Sequence, residues 1–207
     1  MTERRTQAER TADSRARLIN AAIELLAANG YARTSLVEIG KRAGTSRGLV
    51  THHFGSKEAC MHAVVRHIRE VVAERILDTG LKGVAGIESA IDVYFEMLTS
   101  GQAESRAMFV IQIEGLTSTP GLRPSVAETN AWVRTTLASV LTATDDGAGP
   151  SDADLAAVTP LIVVVEGMLR GVAVQWMADP EAVELDSAVT TLKTMVRREA
   201  ATLGIAG

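Results

Sequence analysis

The stretch from Ser35 to Glu58, SLVEIGKRAGTSRGLVTHHFGSKE, constrains this chain more than any other. It reads as a short helix, a glycine turn, a second short helix and the start of a third. Ser35 and Glu38 have the S-x-x-E spacing of a capping box, which satisfies the orphan amides at a helix start. Leu36, Ile39 and Ala43 then recur at helical spacing and supply one apolar face. Gly44 suits the positive φ that ends a helix, and Thr45 or Ser46 can cap the next. Ser56 caps the third, whose first residue is Lys57. A generic pair of surface helices also needs caps and a turn. Two helices joined by so short a turn are, however, a way of placing the second in the DNA major groove.

Charge supports the same division. The chain has 207 residues and a net charge of −4, which by itself argues against nucleic acid. Residues 1–70 nevertheless hold 12 Lys and Arg against 7 Asp and Glu, a balance of +5. Residues 71–207 hold 9 against 18, a balance of −9. A basic first third joined to an acidic remainder fits a DNA-reading module attached to a part that does not touch DNA. Aromatics are only 3% and strand-like alternation is scarce, so the expected fold class is all-α. Hydrophobic residues, at 46%, exclude disorder throughout. The one cysteine, Cys60, cannot form an internal disulfide, and the first residues carry no secretory pattern, so a cytoplasmic location is expected. The longest apolar run, Leu161 to Met177, is broken by Glu166, Arg170 and Gln175 and reads as a buried helix rather than a membrane span.

Along the chain, residues 1–13 read as a mobile basic arm with Arg4, Arg5 and Arg10. Asp13 or Ser14 starts a first helix with Leu18, Ala21, Ala22, Leu25 and Leu26 on one face and Gly30 as its stop. Phe54, with Ile39, Leu25 and Val50, is expected to close a three-helix core. A fourth helix runs from Lys57 to about Asp78, and Gly80, Gly83 and Gly86 mark a joint after it. Helical stretches follow near 87–101, 104–117 and 122–144, then a loop with Asp145, Asp146 and Gly149. Ser151 and Asp154 cap a further helix that Pro160 should kink or restart. A final helix, about 182–203, carries Leu185, Ala188, Val189, Leu192, Val196 and Leu203 along one side.

The run from Leu18 to Val65 resembles the N-terminal domain of the tetracycline-repressor (TetR) family of bacterial regulators. The residues that carry the resemblance are Ala21, Ala22, Gly30, Tyr31, Thr34, Ser35, Ile39, Gly40, Ala43, Gly44, Thr45, Ser46, His53, Phe54, Ser56, Lys57 and Glu58. The strong match covers residues 15–66; the rest is similar only in length, helical character and the E-G-M-L-R-G stretch from Glu166. Thr51 departs from the pattern, which usually has a tyrosine there. The resemblance implies a homodimer that binds a palindromic operator, represses, and is released when a small-molecule effector enters the C-terminal domain. It divides the chain into a DNA-binding domain, residues 1–56, and a ligand-binding and dimerisation domain, residues 57–207, with 57–78 as the connecting helix.

On this reading double-stranded DNA is met by Thr34, Ser35, Val37, Thr45, Ser46, Arg47, Gly48, Leu49, Thr51, His52, His53 and Lys57. Arg47 suits a bidentate contact to guanine O6 and N7. Lys57 stands in the first turn of its helix, where a bound phosphate would gain from both the cation and the free amides. Val50 and Phe54 point into the core. An apolar pocket with a few polar groups is expected from Tyr94, Met97, Met108, Phe109, Gln112, Glu114, Trp132, Met168 and Trp176. Gly167, Gly171, Leu185, Val189, Leu192 and Val196 are expected at the dimer interface, and Glu166 and Arg170 pair at i, i+4. No cofactor and no metal site is expected, since His52, His53, His62, His67 and Cys60 show no ligand spacing. With no H-E-x-x-H and no P-loop, an enzyme is not expected either. The rival readings are a small-molecule-binding or interaction protein that has lost DNA reading, and a helical enzyme acting through Glu114 or Glu166.

Overall fold

A computed structural model describes residues 6–143 and 149–205. It is 83% helical, with no strand among the described residues. The helices are α1 (Gln7–Arg33), α2 (Leu36–Arg42), α3 (Arg47–Phe54), α4 (Lys57–Leu77), α5 (Gly83–Thr99) and α6 (Ala103–Leu116). A 3-10 turn (Pro120–Leu122) leads into α7 (Arg123–Thr142), followed by α8 (Asp152–Ala178) and α9 (Leu185–Thr202). Asp145, Asp146 and the Gly147 end of the expected loop lie outside the described residues, as do Arg4 and Arg5.

The chain forms two compact units. The first comprises residues 1–71 and 101–127, the second residues 72–100 and 128–207. In the first unit, Leu18, Ile23 and Leu26 of α1 are buried with Ile39 of α2, Val50 of α3 and Met61 of α4. α6 lies against α1 and buries Ala107 and Ile111. In the second, Ile87 and Ile91 of α5, Ile162 and Val165 of α8 and Leu192 and Val196 of α9 are buried. Burial of side chains of this size is worth roughly 1.5–3 kcal/mol each relative to leaving them in water.

The start of α1 differs from the expected arm. Thr6 and Glu9 form a reciprocal capping box, so residues 7–13 are helical and Arg10 lies on α1. Gly30 does end the regular helix, at φ 75°, although the chain makes one more turn to Arg33. Leu25 and Phe54 are half-buried rather than sealed, and the Arg15 guanidinium sits 5.6 Å from the Phe54 ring centre. α8 passes through Pro160 without a break. One missing amide removes one hydrogen bond, and the packed turns on either side hold the helix.

Gly83 begins α5 with positive φ, whereas Gly86 serves a different need. A Cβ on Gly86 would lie 2.5 Å from Val140 Cγ1 and 2.8 Å from the Leu81 carbonyl oxygen, so only glycine lets those segments meet.

Candidate functional site

The two helices of the central motif and the start of α4 are held by serine caps. Ser35 Oγ accepts the Glu38 amide at 3.2 Å, Ser46 Oγ accepts the Leu49 amide at 3.3 Å, and Ser56 Oγ accepts the Ala59 amide at 3.1 Å. The expected box at Ser35 is thus half formed, because the Glu38 carboxylate turns to Lys41 at 3.8 Å instead. Gly44 takes φ 68°, and Thr45 N–H donates to the Gly40 carbonyl at 2.8 Å. This bond ties the turn to α2 and fixes where α3 begins.

α3 then has an inner and an outer face. Val50 is fully buried. Arg47, Gly48, Thr51 and His52 are exposed, at i, i+1, i+4 and i+5, and so form one continuous outward stripe. Arg47 makes no hydrogen bond or ion pair among the described residues. Leu49 and His53 flank the stripe half-buried, as does Thr45, while Ser46 is exposed at its head. Burial first, then the neighbouring charges of His52 and Arg15, holds His53 below the usual histidine range, so it is neutral at neutral pH. Val37 is exposed at the start of α2 beside half-buried Ser35.

Two of the expected contacts are placed differently. Thr34 is fully buried, and its hydroxyl donates to the Gly30 carbonyl at 2.8 Å. Its side chain closes the end of α1 and is not presented to solvent. Lys57 is half-buried and folds back: Nζ donates to the Tyr31 carbonyl at 2.6 Å and stands 3.7 Å from the Tyr31 ring centre. Burial holds its pKa below the usual lysine value, opposed by Glu58 and Glu114. The Tyr31 hydroxyl in turn donates to Glu58 at 3.4 Å. The Glu58 carboxyl lies below its ordinary range, first through a bond to its own amide and then through Ser56.

The nine expected ligand residues do not gather in one place. Met108, Phe109, Gln112 and Glu114 belong to α6, in the first unit, where Glu114 accepts the Ser118 hydroxyl. Tyr94 and Trp132 line a cleft of about 500 Å³, counted to its open mouth, within the second unit. Apart from Thr136, its wall is otherwise aliphatic, from Ile76, Ile87, Ile91, Leu137, Val165 and Leu169 among others. Val72, Ile76, Ile87 and Ile91 are wall residues that composition alone did not single out; no local signal distinguishes them from ordinary core. Met97 is core, Trp176 is half-buried away from the cleft lining, and Met168 lies on a separate open groove between α8 and α9.

Of the expected interface residues, Leu192 and Val196 are sealed inside their own unit, because α9 turns that side toward α5. They are core, and the exposed apolar residue between them is Met195. Leu185 and Val189 are half-buried, while Gly167 and Gly171 are exposed with open space where a Cβ would stand. The Glu166–Arg170 pair forms, and Arg170 also donates to Asn130 at 2.8 Å, with Arg134 3.8 Å from the Glu166 carboxylate. Burial pushes the Glu166 carboxyl up, and the two arginines pull it back only in part.

The profile of the bacterial regulatory proteins of the tetR family matches residues 18–64. Over these residues the chain is similar to the tetR family. Those residues include α2, α3 and the outward stripe. The transcriptional regulator CymR of Pseudomonas putida is 38% identical over 73 residues, 35% of this chain and 36% of that protein. The chain therefore matches only about a third of that relative's length. The solved structure of a transcriptional regulator from Rhodococcus sp. Rha1 aligns over 92% of this chain and 97% of its own, with a TM-score of 0.70 at 20% identity. FadR of Bacillus subtilis, solved in complex with stearoyl-CoA, aligns over 87% and 96%, with a TM-score of 0.66 at 20% identity. The tetR-type likeness beyond α4 is one of fold.

The string Gly44-Thr45-Ser46-Arg47-Gly48 also spells G-x-S-x-G, the nucleophile elbow of hydrolases. That elbow joins a strand to a helix and leaves its serine free. Here it joins two helices in a tetR-family motif, and Ser46 is a cap. No group of three or more metal-ligating side chains gathers among the described residues. Cys60 is buried, which pushes its thiol up to about 12 and leaves it protonated and inert.

Proposed function

We propose that this protein is a ligand-responsive transcriptional regulator, a repressor that binds a palindromic operator as a homodimer and releases it when a small molecule enters the second unit. One observation carries the reading: the outward stripe of Arg47, Gly48, Thr51 and His52 is exposed on a helix whose start is fixed by a cap and a turn. An exposed arginine at the N-terminal end of such a helix is suited to reach guanine in the major groove. Ser35, Val37, Thr45 and Ser46 flank the stripe and meet the adjoining backbone, with Leu49 and His53 at its edges. Lys57 leaves Tyr31 for a phosphate when DNA is bound.

Dimerisation uses the outer faces of α8 and α9. Val163, Val164 and Val174 of α8 and Met195 of α9 are exposed there beside Gly167 and Gly171. Two recognition helices must stand roughly 34–36 Å apart to enter successive major grooves, so a ligand that alters this spacing lowers affinity. α4 and α7 each pass from one unit into the other and are the covalent route for such a change. FadR, a fold neighbour, holds stearoyl-CoA, which supports a ligand role for a domain of this kind. The protein works in the cytoplasm and has no catalytic role.

The test is a mobility-shift titration with DNA from upstream of its own gene. Arg47→Ala should cost about 1–3 kcal/mol of binding and blur preference at one position in each half-site. Equal binding of parent and variant to every sequence rules out the docking of α3.

A further inference from the structure

The cleft in the second unit also narrows the chemistry of the effector; this inference rests on the reading of the chain as effector-responsive. Nine of its twelve lining residues are aliphatic, and only Tyr94, Trp132 and Thr136 bring a polar atom. The Tyr94 hydroxyl is buried and has no hydrogen-bond partner among the described residues. Burial raises its pKa far above the usual tyrosine value, a shift that nearby Arg170 opposes and Glu166 reinforces. It is therefore a neutral O–H at any physiological pH. A buried hydroxyl without a partner has lost its water and gained nothing in exchange. An acceptor on a ligand that reaches it from the cleft, whose wall includes Tyr94, would restore that bond.

The charged groups near Tyr94 argue against a charged ligand. Arg170 is held by Glu166 and Asn130, and Glu166 by Arg170 and Arg134. An anion would have to take Arg170 from Glu166 and leave that buried carboxylate short of a partner. A cation would meet an aliphatic wall with no free carboxylate. Either charge loses its hydration without repayment.

We propose that the cleft takes a small, neutral, largely apolar compound bearing one acceptor oxygen, which accepts a hydrogen bond from the Tyr94 hydroxyl. The aliphatic wall supplies most of the affinity, and Tyr94 selects the oxygenated compound over its hydrocarbon counterpart.

The experiment uses the full chain carrying Trp176→Phe, so that Trp132, on the cleft wall, is the only tryptophan. Its fluorescence is titrated with acetophenone, ethylbenzene and benzoate, three probes of one frame that differ in acceptor and charge. Acetophenone is expected to bind about tenfold more tightly than ethylbenzene, and benzoate not at all. Tyr94→Phe should bring acetophenone to the level of ethylbenzene and leave ethylbenzene unchanged. Ala90→Phe, which fills the cleft, should abolish both, with thermal melts confirming that each variant is folded. Preference for benzoate, equal losses for both neutral probes in Tyr94→Phe, or binding of none of the three overturns the proposal. Release of upstream DNA is measured in the same samples. Acetophenone bound through Tyr94 without DNA release upholds the ligand class and removes the effector reading. Release of DNA by benzoate, unaffected by Tyr94→Phe, keeps the effector reading and overturns the ligand class.

Discussion

Gly40 sets the distance between α2 and the head of α3. A Cβ built there would lie 3.1 Å from the Ser46 carbonyl carbon, 3.1 Å from the Thr45 carbonyl oxygen and 3.2 Å from the Arg47 amide nitrogen. Ordinary van der Waals contact starts at about 3.4 Å, and all three neighbours are backbone. Alanine therefore needs the turn to give by a few tenths of an ångström. Against that cost, α2 gains up to about 1 kcal/mol because alanine is a better helix former than glycine. The two effects have opposite signs and similar size, so Gly40→Ala should change stability by less than about 1 kcal/mol.

Valine is a different case. Its two further methyls project into the segment from Thr45 to Arg47, where no side chain can rotate away. Overpacking of this kind costs about 1–3 kcal/mol, and a β-branched residue adds to it within a helix. Thermal unfolding and mobility shift together read the result. At about 2–4 °C per kcal/mol for a chain of this size, Gly40→Ala should melt within about 4 °C of the parent. Gly40→Val should melt lower and lose DNA binding beyond what its folded fraction explains, because the DNA receives a displaced α3. If Gly40→Val melts and binds like the parent, α2 and α3 are not held together in the way their backbone distances require.

Lys57→Met keeps the aliphatic stem and deletes the charge on Tyr31, so the melting temperature should fall by an amount corresponding to about 1 kcal/mol. In DNA binding, the logarithmic salt dependence should flatten by about one for each phosphate that Lys57 neutralises in the parent; an unchanged slope means that Lys57 stays on Tyr31 in the complex. Gly86→Ala should destabilise the second unit by about 1–3 kcal/mol, since the Leu81 carbonyl 2.8 Å from the new Cβ outweighs the helix-propensity gain. A calorimetric melt of that variant equal to or above the parent's would show that α5 and Leu81 have room to separate.

What the sequence made legible was local. Ser35, Ser46 and Ser56 are caps, Gly30 and Gly44 are stops, and Val50 is inward, because each follows from a few consecutive residues. The same logic extends to Thr6 and Glu9, whose T-x-x-E spacing announces that α1 begins before Asp13. What stayed hidden depends on residues far apart in the chain. Lys57 reaches Tyr31 across 26 positions. The cleft draws on α4, α5, α7 and α8, so a list of large residues could find Tyr94 and Trp132 but not the aliphatic wall between them. The stripe on α9 shows a third kind of limit. Periodicity says that Leu192 and Val196 share a face, but not whether that face meets α5 or a second chain.

The same limit applies to α8. By length and composition α8 is apolar enough to cross a membrane, yet only 39% of its most apolar window is buried inside the chain. Its sequence reads as a buried helix; in the structure Val163, Val164 and Val174 face outward. An apolar face of this kind needs a partner. The open space over Gly167 and Gly171 lets another helix come close, and the groove beside them, edged by Met168, Gln175 and Met195, continues the face onto α9. In the proposed homodimer, a second copy presenting the same face would satisfy it by two-fold symmetry, with each residue meeting its equivalent or a fixed partner. That symmetry is also what a palindromic operator demands of two recognition helices. Dimerisation and operator reading are then one proposition. Val164→Glu, which sets like charges across the two-fold, should yield a folded monomer that binds DNA far more weakly than the parent although Arg47 is untouched. A Val164→Glu dimer in sedimentation, with parental DNA affinity, would separate the α8 face from DNA recognition.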